Sequence, residues 1–471
     1  MIVAQTLIGN LNMANEPLMP GTAHFLALEL SDQEVSRRVF GPLQQVVRKN
    51  AWWWLFGIGL ALLMLYVVAA GTLLWRGVGV WGNNQTVNWG FGIINYIWWL
   101  GIGHAGTFIS ALLLLIERPW RHTLNRLAEL MTLMAVICAA LYPILHLGRP
   151  WLFYWTMPYP NEMGLWPQYK SPTAWDMFAV ITYLLVSMMF LFVGAIPDFA
   201  TARDRAQRRG AQVFYGLLAL GWRGSQRHWA LWRRTTRVLA LLAIPLVFGV
   251  SSGYSFLMTM GVQSGWHSTL FPPYFVAGAV FSGFSLVALI AIGLRWLLGI
   301  EVLITAHHLD MLGRLMLATG WMTAYGYLAD LFIPFYSGEP HEIDVLMARM
   351  TGPDAWSFWL AVVCNVGVLQ ALWWRRVRQH PKALASVALA VLIGMWAERY
   401  MLLIPPQTRD HLISAWGQYA PTFFDWSLFA GSFGVFLVPF SLFIRWLPMV
   451  SAFEVKQSLH REREQREAED D

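Results

Sequence analysis

The chain has 471 residues, of which 57% are hydrophobic and only 13% are charged, and its net charge at pH 7 is +6. Soluble domains carry about 25% charged residues, so this composition excludes a soluble globular protein and indicates an integral membrane protein. The basic residues fall between apolar segments, where Lys and Arg set membrane orientation. The positive charge therefore predicts contact with a lipid bilayer and no binding of nucleic acid.

The polar arm at residues 1–50 ends in four basic residues and predicts a cytoplasmic N-terminal arm without a cleaved signal peptide. Residues 51–450 hold ten apolar segments, each long enough to cross ~30 Å of hydrocarbon with about 20 helical residues. Residues 451–471 form a charged cytoplasmic tail with no core of its own. The predicted spans lie near 52–75, 91–116, 127–147, 173–196, 236–259, 272–298, 308–333, 355–374, 384–405 and 424–447.

The predicted fold is therefore all-α and integral to the membrane. Segments two and six both contain small residues at close-packing spacing, in GHAGTF and VAGAVFSG, and small residues let membrane helices approach closely. This favours two four-helix bundles, formed by helices two to five and six to nine and flanked by helices one and ten. Between the spans lies an apolar patch, VFYGLLALGW, too short to cross and typical of a helix that lies at the membrane interface.

Orientation follows from the basic residues beside the spans. The N-terminal arm, 117–126, 197–237, 375–382 and the C-terminal tail are rich in Lys and Arg, whereas the opposite loops hold few. The positive-inside rule predicts that both termini are cytoplasmic. The loops at 148–172, 260–271 and 334–354 then face the outside, which in a bacterium is the periplasm.

The stretch from Tyr142 to Tyr183 carries the strongest candidate site. An apolar helix ends at His146, and Asp176 stands in the first turn of the next helix, so both lie at the outer edge of the membrane. Imidazole and carboxylate can accept the two protons that a hydroquinone releases on oxidation. The alternative is that both residues cap helix ends. Further candidate quinol-binding residues in or beside this stretch are Arg149, Tyr142 and Trp151.

His104 lies mid-helix in segment two, about 13 residues or ~20 Å of rise from the outer end. It is predicted as a second quinone or proton-path residue. A haem ligand is the alternative, but His104 and His146 lie at different depths. A third interpretation is a buried histidine bonded to a backbone carbonyl.

A second set of polar residues predicts a proton path, because ionisable groups inside a bilayer are costly and usually face a bundle interior or a water path. The alternative is that each is paired to fix helix packing. The set comprises Tyr254, Ser252, His308, Asp310, Arg314, Tyr325, Tyr327, Asp330, Glu398 and Arg399.

The motif HLGRPW, with SPTAWD some residues later, resembles the NrfD/PsrC family of membrane quinone-reactive subunits. Four further stretches resemble one branch of it, that of the ActC subunit of bacterial alternative complex III: GIGHAGTFISALLLL, FVAGAVFSG, HHLDMLGRLMLATGW and MWAERYMLL. The resemblance covers residues 50–450. The resemblance predicts a carboxylate side chain longer than aspartate at the position where this chain has Asp330.

The resemblance implies a multi-pass subunit of the bacterial inner membrane that oxidises menaquinol near the periplasmic face, with His146 and Asp176 as the reacting residues. It implies no haem or metal in this chain. The two cysteines, Cys138 and Cys364, lie in apolar helices without metal spacing. Electrons would pass to a [3Fe–4S] cluster in an ActB-like iron–sulfur subunit and then to c-type cytochrome subunits, beside an ActF-like sister membrane subunit.

Three alternatives stay open. The chain could anchor a molybdenum reductase of the polysulfide or dimethyl sulfoxide type, or be a structural or proton-path subunit like ActF that binds no quinol. It could also be a secondary transporter, although no matching pair of Gly/Pro-interrupted helices is evident in the two halves.

Overall fold

The computed structural model describes residues 31–44, 48–116, 120–156, 172–261, 263–266, 268–409, 411–457 and 459–460. The predictions for the first 30 residues of the arm, for most of the 148–172 loop and for the tail after 460 lie outside these residues. Every regular element in the described part is helical. In chain order the helices are α1 (Asp32–Gln44), α2 (Lys49–Arg76), α3 (Phe91–Leu115), α4 (Arg121–His146), α5 (Pro172–Arg205), α6 (Arg209–Leu218), α7 (Gln226–Thr259), α8 (Phe271–Leu298), α9 (Ala306–Ser337), α10 (Pro340–Thr351), α11 (Ala355–Trp373), α12 (Arg375–Gln379), α13 (Pro381–Thr408) and α14 (Phe423–Trp446).

The all-α membrane fold predicted from composition is confirmed. Within the described residues, nine helices are long and apolar enough to cross a membrane: α2, α3, α4, α5, α7, α8, α11, α13 and α14. The seventh predicted span, 308–333, lies in the 32-residue helix α9, which is not among the nine. Its length would span the bilayer, and Asp310, Arg314 and Asp330 lower its apolar character.

The helices group as the sequence pattern predicts. In the first bundle α3 packs on α4, α4 on α5, α5 on α7, and α7 returns to α3. In the second, α8 packs on α9 and α13, and α11 closes the ring between α9 and α13. The flanking helices α2 and α14 pack on each other, and α14 also contacts α4. The bundles meet mainly where α3 lies against α8, and the largest hydrophobic cluster of the described residues extends through both bundles.

Small residues make that central contact possible. A side chain at Gly283 of α8 would overlap Ala105 and the Ile102 carbonyl of α3, and one at Gly106 of α3 would overlap Thr132 and the Ala128 carbonyl of α4. Close backbone approach of this kind is how membrane helices gain packing contacts. The small-residue motifs in segments two and six are therefore contact surfaces of the helix that joins the two bundles.

The connections between spans place two further elements at the ends of the bundles. We call the face that holds the end of α4 and the start of α5 the outer face, following the predicted orientation, and the opposite face the inner face. At the inner face α1 lies beside the end of α5, where Arg205 donates to the Ser36 carbonyl at 3.4 Å. The predicted interfacial segment forms α6, which packs on α5.

Candidate functional site

His146 and Asp176 lie at the same end of the first bundle because α4 ends at His146 and α5 begins at Pro172. These two helices pack against each other. In the described structure the two side chains share no hydrogen bond or ion pair. Each instead contacts an aromatic residue, Trp81 or Tyr96, that the sequence reasoning did not select.

Asp176 faces the interior of the bundle. Its Oδ2 accepts a 2.8 Å hydrogen bond from the Tyr96 phenol on α3. Its Oδ1 is buried and has no hydrogen-bond partner in the described structure. The Tyr254 ring of α7 lies edge-on to Tyr96, with ring centroids 5.5 Å apart, and the buried Tyr254 hydroxyl also has no described partner. Two unsatisfied polar atoms therefore belong to one cluster, which is costly unless a ligand or water satisfies them.

His146 is held by the chain segment that precedes α3. Its ring stacks on Trp81, with centroids 5.7 Å apart and planes at 28°. Its Nδ1 is buried and has no described hydrogen-bond partner, and the same holds for Trp81 Nε1. The chain turns after His146 through Gly148, whose φ of +67° suits glycine, and this turn lies against Val78.

The other residues predicted for this site lie apart from the two. The buried Tyr142 phenol donates to the Leu428 carbonyl of α14 at 3.3 Å, so it faces a flanking helix. Arg149 is exposed, and Trp151 is 61% exposed in a short helical turn at Pro150–Thr156. No ion pair between Arg149 and Asp176 is present among the described residues.

His104 is fully enclosed and uses both ring nitrogens. Nδ1 lies 2.6 Å from the Leu100 carbonyl, and Nε2 lies 3.2 Å from Ser251 Oγ on α7. The ring stacks on Tyr183 of α5 at 5.2 Å, and the Tyr183 hydroxyl donates to the Gly103 carbonyl at 2.9 Å. His104 thus joins α3, α5 and α7. This geometry matches the interpretation of a buried histidine bonded to a backbone carbonyl.

Among the residues predicted for the proton path, Glu398, Arg399 and Tyr327 form one buried cluster. Glu398 Oε1 lies 3.3 Å from Arg399 Nη1, and Glu398 Oε2 accepts a 3.2 Å bond from Tyr327. Asn365 of α11, which the sequence reasoning missed, donates to the Tyr327 hydroxyl at 2.7 Å. Arg399 also lies over the Phe275 ring at 4.3 Å. All four helices of the second bundle, α8, α9, α11 and α13, therefore contribute to the cluster around one buried charge pair.

At the inner end of α9, Asp310 accepts from two arginines. Arg378 Nε lies 2.8 Å from Asp310 Oδ1, and Arg314 Nη2 lies 2.9 Å from Oδ2. His308 stands two residues earlier and completes a capping box with Thr305, whose Oγ1 lies 2.9 Å from His308 Nδ1. These contacts pair each polar side chain with a neighbour and so fix the packing of α9. They match the alternative stated above, in which the polar residues stabilise helix packing.

The remaining predicted path residues are scattered. Asp330 at the outer end of α9 accepts a 2.9 Å bond from Arg349, which also donates to the Gly265 carbonyl at 2.9 Å. Tyr325 is 67% exposed on the outside of α9, and Ser252 is half-buried with its carbonyl accepting from Ser255. Within the described residues the set forms separate clusters rather than a hydrogen-bonded ladder.

A buried charged cluster at the inner face of the first bundle was not predicted. Arg126 donates to Asp198 at 2.9 Å, and Arg121 pairs with Glu454 of the tail at 3.0 Å. Burial alone would raise the pKa of Glu454, but nearby Arg121, His122 and Arg126 together lower that pKa below its ordinary value. Glu129 is buried beside them, with no described hydrogen-bond partner for Oε2. Glu129, an ionisable residue within the predicted span 127–147, was the one signal in the sequence for this cluster.

Comparison with known proteins identifies the family. The family model described as "Polysulphide reductase, NrfD" matches residues 79–409, which include both bundles and the candidate site. The chain belongs to the NrfD family. The family resemblance carried by HLGRPW is thereby confirmed, and with nine candidate spans in its described part this family member is a multi-pass membrane protein. Assignment to the ActC branch stays a prediction.

Three named relatives show the range of complexes in which similar chains occur. This NrfD chain is 22% identical over 389 residues to the C subunit of selenate reductase from Mesobacillus selenatarsenatis, covering 79% of this chain and 88% of that protein. It is 25% identical over 316 residues to a Halobacterium salinarum protein provisionally named the membrane C subunit of dimethyl sulfoxide reductase, covering 66% and 63%. It is 22% identical over 402 residues to the Hdr-like menaquinol oxidoreductase integral membrane subunit of Archaeoglobus fulgidus, covering 78% and 87%.

Proposed function

We propose that this chain is the quinol-oxidising membrane subunit of a respiratory electron-transfer complex, and that it oxidises menaquinol at the outer end of its first bundle. Membership of the NrfD family supports a membrane subunit of an oxidoreductase. The relative named as a menaquinol oxidoreductase subunit supports a quinol as substrate.

The observation that carries the proposal is the hydrogen bonding of the two Asp176 carboxylate oxygens. One of its oxygens is fixed by the Tyr96 phenol, and the other is buried with no described partner. A carboxylate oriented in this way can accept a hydrogen bond, and then a proton, from a hydroxyl group that enters the cluster. Tyr96 therefore serves as a positioning residue for Asp176.

His146 supplies the second proton acceptor at the same end of the bundle. Its Nδ1 is buried without a described partner, and stacking on Trp81 fixes the plane of the ring. An imidazole changes charge near neutral pH, which suits it to take a hydroxyl proton and release it to the outside.

The chemistry balances with these two groups. A menaquinol loses two electrons and two hydroxyl protons and becomes a menaquinone. One proton goes to Asp176 and the other to His146, and both leave at the outer face. The two electrons leave to an iron–sulfur cluster in a partner protein, for which we propose the [3Fe–4S] cluster of an ActB-like protein.

For the complex we propose the alternative complex III type, with this chain in the ActC role beside c-type cytochrome subunits and an ActF-like sister. The four stretches that resemble ActC support this assignment. The distribution of basic residues supports a location in the bacterial inner membrane with the N-terminal arm and the C-terminal tail in the cytoplasm. We also propose that Glu398, Arg399 and Tyr327 form the central part of a proton path.

A second candidate, the membrane anchor of a molybdenum reductase, is favoured by the names of two relatives, which refer to a selenate reductase and a dimethyl sulfoxide reductase. Both candidates use the same quinol chemistry and differ in the electron acceptor. Purification of the complex from its host distinguishes them. The haem spectrum of a c-type cytochrome in the purified complex supports the first, and bound molybdenum supports the second.

The quinol site itself is tested by electron paramagnetic resonance of the partner's cluster after addition of menaquinol. Asp176→Asn removes the proton acceptor while keeping the shape and the bond to Tyr96, and we expect cluster reduction to slow by about 10²-fold or more. Reduction at the wild-type rate in an assembled complex would show that Asp176 is not the proton acceptor and only caps its helix.

A further inference from the structure

We infer that the inner-face groove beside α6 binds the headgroup of an anionic phospholipid. The groove has a volume of about 280 Å³. Its walls come from α1, the end of α5, the turn before α7 and the first residues of the tail. This site lies at the opposite end of the first bundle from the proposed quinol site and is independent of it.

The charges of the groove favour an anion. Arg203, Arg223 and Lys456 line it together with two carboxylates, Asp198 and Asp204. Each carboxylate is paired with an arginine, since Asp198 accepts from Arg126 at 2.9 Å and Asp204 from Arg203 at 2.8 Å. The side chains of Arg223 and Lys456 make no hydrogen bond or ion pair with a described residue. Two positive charges therefore remain for a ligand.

Aromatic residues give the groove a fixed floor. Trp229 at the start of α7 stacks on Phe453 of the tail, with ring centroids 3.9 Å apart and planes at 26°, and Trp222 packs edge-on against Trp229 at 4.9 Å. Tryptophan is enriched at the level of lipid headgroups. This stack also ties the C-terminal segment to the inner face.

Next to the groove, α6 offers a surface for acyl chains. Its residues Val213, Phe214 and Leu217, with Leu220 just after it, are 49–72% exposed and lie one helical turn apart along one face. The helix is held by the Tyr215 hydroxyl, which donates to the Trp446 carbonyl at 2.6 Å. An exposed apolar face on a short helix beside spanning helices is typical of a segment that lies in the lipid interface.

These neighbouring features fit a phospholipid better than an acidic protein segment. A protein segment would match the charges but would leave the apolar face of α6 in water. Basic clusters at the cytoplasmic ends of spans recognise anionic headgroups, at about 1 kcal/mol for each Lys or Arg near the surface. Further exposed arginines flank α6 on both sides: Arg205, Arg208, Arg209 and Arg227.

Native mass spectrometry of the full chain in detergent tests this inference, with dihexanoyl phosphatidylglycerol and dihexanoyl phosphatidylcholine as probes. We expect phosphatidylglycerol to bind about tenfold more tightly or better. Arg223→Gln should weaken it about fivefold, and Arg223→Gln with Lys456→Gln about 25-fold, from the surface contribution of each charge. The matched control is Arg233→Gln with Arg234→Gln, which removes the same charge from exposed positions outside the groove and should change binding less than about twofold.

Three results would overturn the inference. Equal binding of the two lipids would show no headgroup selectivity, whatever the variants do. Displacement of phosphatidylglycerol by an equal concentration of inorganic phosphate would identify a free-anion site. Carbodiimide coupling of Lys456 to a carboxylate of another subunit or of a distant segment, in the purified complex, would show that protein occupies the groove.

Discussion

The Tyr96 phenol on α3 donates a 2.8 Å hydrogen bond to Asp176 Oδ2 on α5, and the Tyr254 ring of α7 lies 5.5 Å from that of Tyr96. Three helices of the first bundle therefore converge on one carboxylate near the outer face. The second carboxylate oxygen has no described partner. We propose that this oxygen accepts a quinol proton.

Tyr96→Phe should slow quinol-driven reduction of the partner's cluster by about 10- to 100-fold, because it removes a hydrogen bond to a charged group, worth about 1.5–3 kcal/mol. The complex should still assemble, since the ring and its packing remain. Stopped-flow reduction of the cluster measures the rate. Tyr142→Phe is the matched control, because its phenol donates to the Leu428 carbonyl of α14 and not to Asp176, and its rate should stay close to that of the wild type. Equal effects of the two variants would contradict the role of Tyr96.

Glu398→Gln should reduce the number of protons released per quinol while leaving the rate of electron transfer close to that of the wild type. The carboxylate pairs with Arg399 and accepts a hydrogen bond from Tyr327, and it shares no described hydrogen bond or ion pair with Asp176, so we assign its charge to the proposed path. Vesicles with a trapped pH dye measure proton release. Tyr325→Phe, at an exposed position of α9, is the control and should change nothing. Unchanged proton release in Glu398→Gln would remove this cluster from any proton path.

Arg378→Ala should destabilise the folded chain by about 3–5 kcal/mol, because it leaves one oxygen of buried Asp310 without its closest cation. Arg314→Ala removes the other cation from the same carboxylate, but the Arg314 side chain is 47% exposed. We therefore expect a loss of about 0–1 kcal/mol for Arg314→Ala. Chemical denaturation in detergent gives both values. Similar losses for the two variants would show that burial does not decide the strength of these pairs.

Attachment of the C-terminal segment should depend on pH. The pKa of Glu454 in the folded chain is lower than the ordinary value of about 4.5 because three basic groups outweigh the effect of burial. A lowered folded pKa stabilises the folded state above the unfolded pKa, and this stabilisation is lost as pH falls through the folded pKa. We expect the melting temperature of the wild type to fall below about pH 4.5 more steeply than that of Glu454→Gln. Parallel pH profiles would contradict the pairing of Glu454 with Arg121.

The sequence predicted most of the architecture because hydrophobic length is a strong signal. Each apolar segment became a helix, and the small residues around Gly106 and Gly283 marked the contacts between α3 and its neighbours. The polar helix α9 shows where that signal weakens. Its aspartates, Asp310 and Asp330, pair with Arg378 and Arg349 from other parts of the chain. A hydropathy scale scores each residue alone and therefore does not include such pairing.

The site was predicted only in part. Its place at the ends of two adjacent helices followed from His146 and Asp176, but their partners did not. Tyr96 lies 80 positions before Asp176, and Trp81 lies 65 before His146, so only tertiary packing brings them together. The inner cluster of Arg126, Asp198 and Glu454 was missed for the same reason, because these residues lie just beyond the predicted spans and only the neighbouring Glu129 lies within one.

The central claim is that Asp176 and His146 accept the protons of an oxidised quinol. The most direct measurement is menaquinol-driven reduction of the partner's iron–sulfur cluster, followed by electron paramagnetic resonance, in assembled Asp176→Asn and His146→Ala complexes. We expect the rate of cluster reduction to fall by about 10²-fold or more in both variants, while assembly and cluster content stay normal. Reduction at the wild-type rate in both variants would contradict the account and leave these two residues as helix caps.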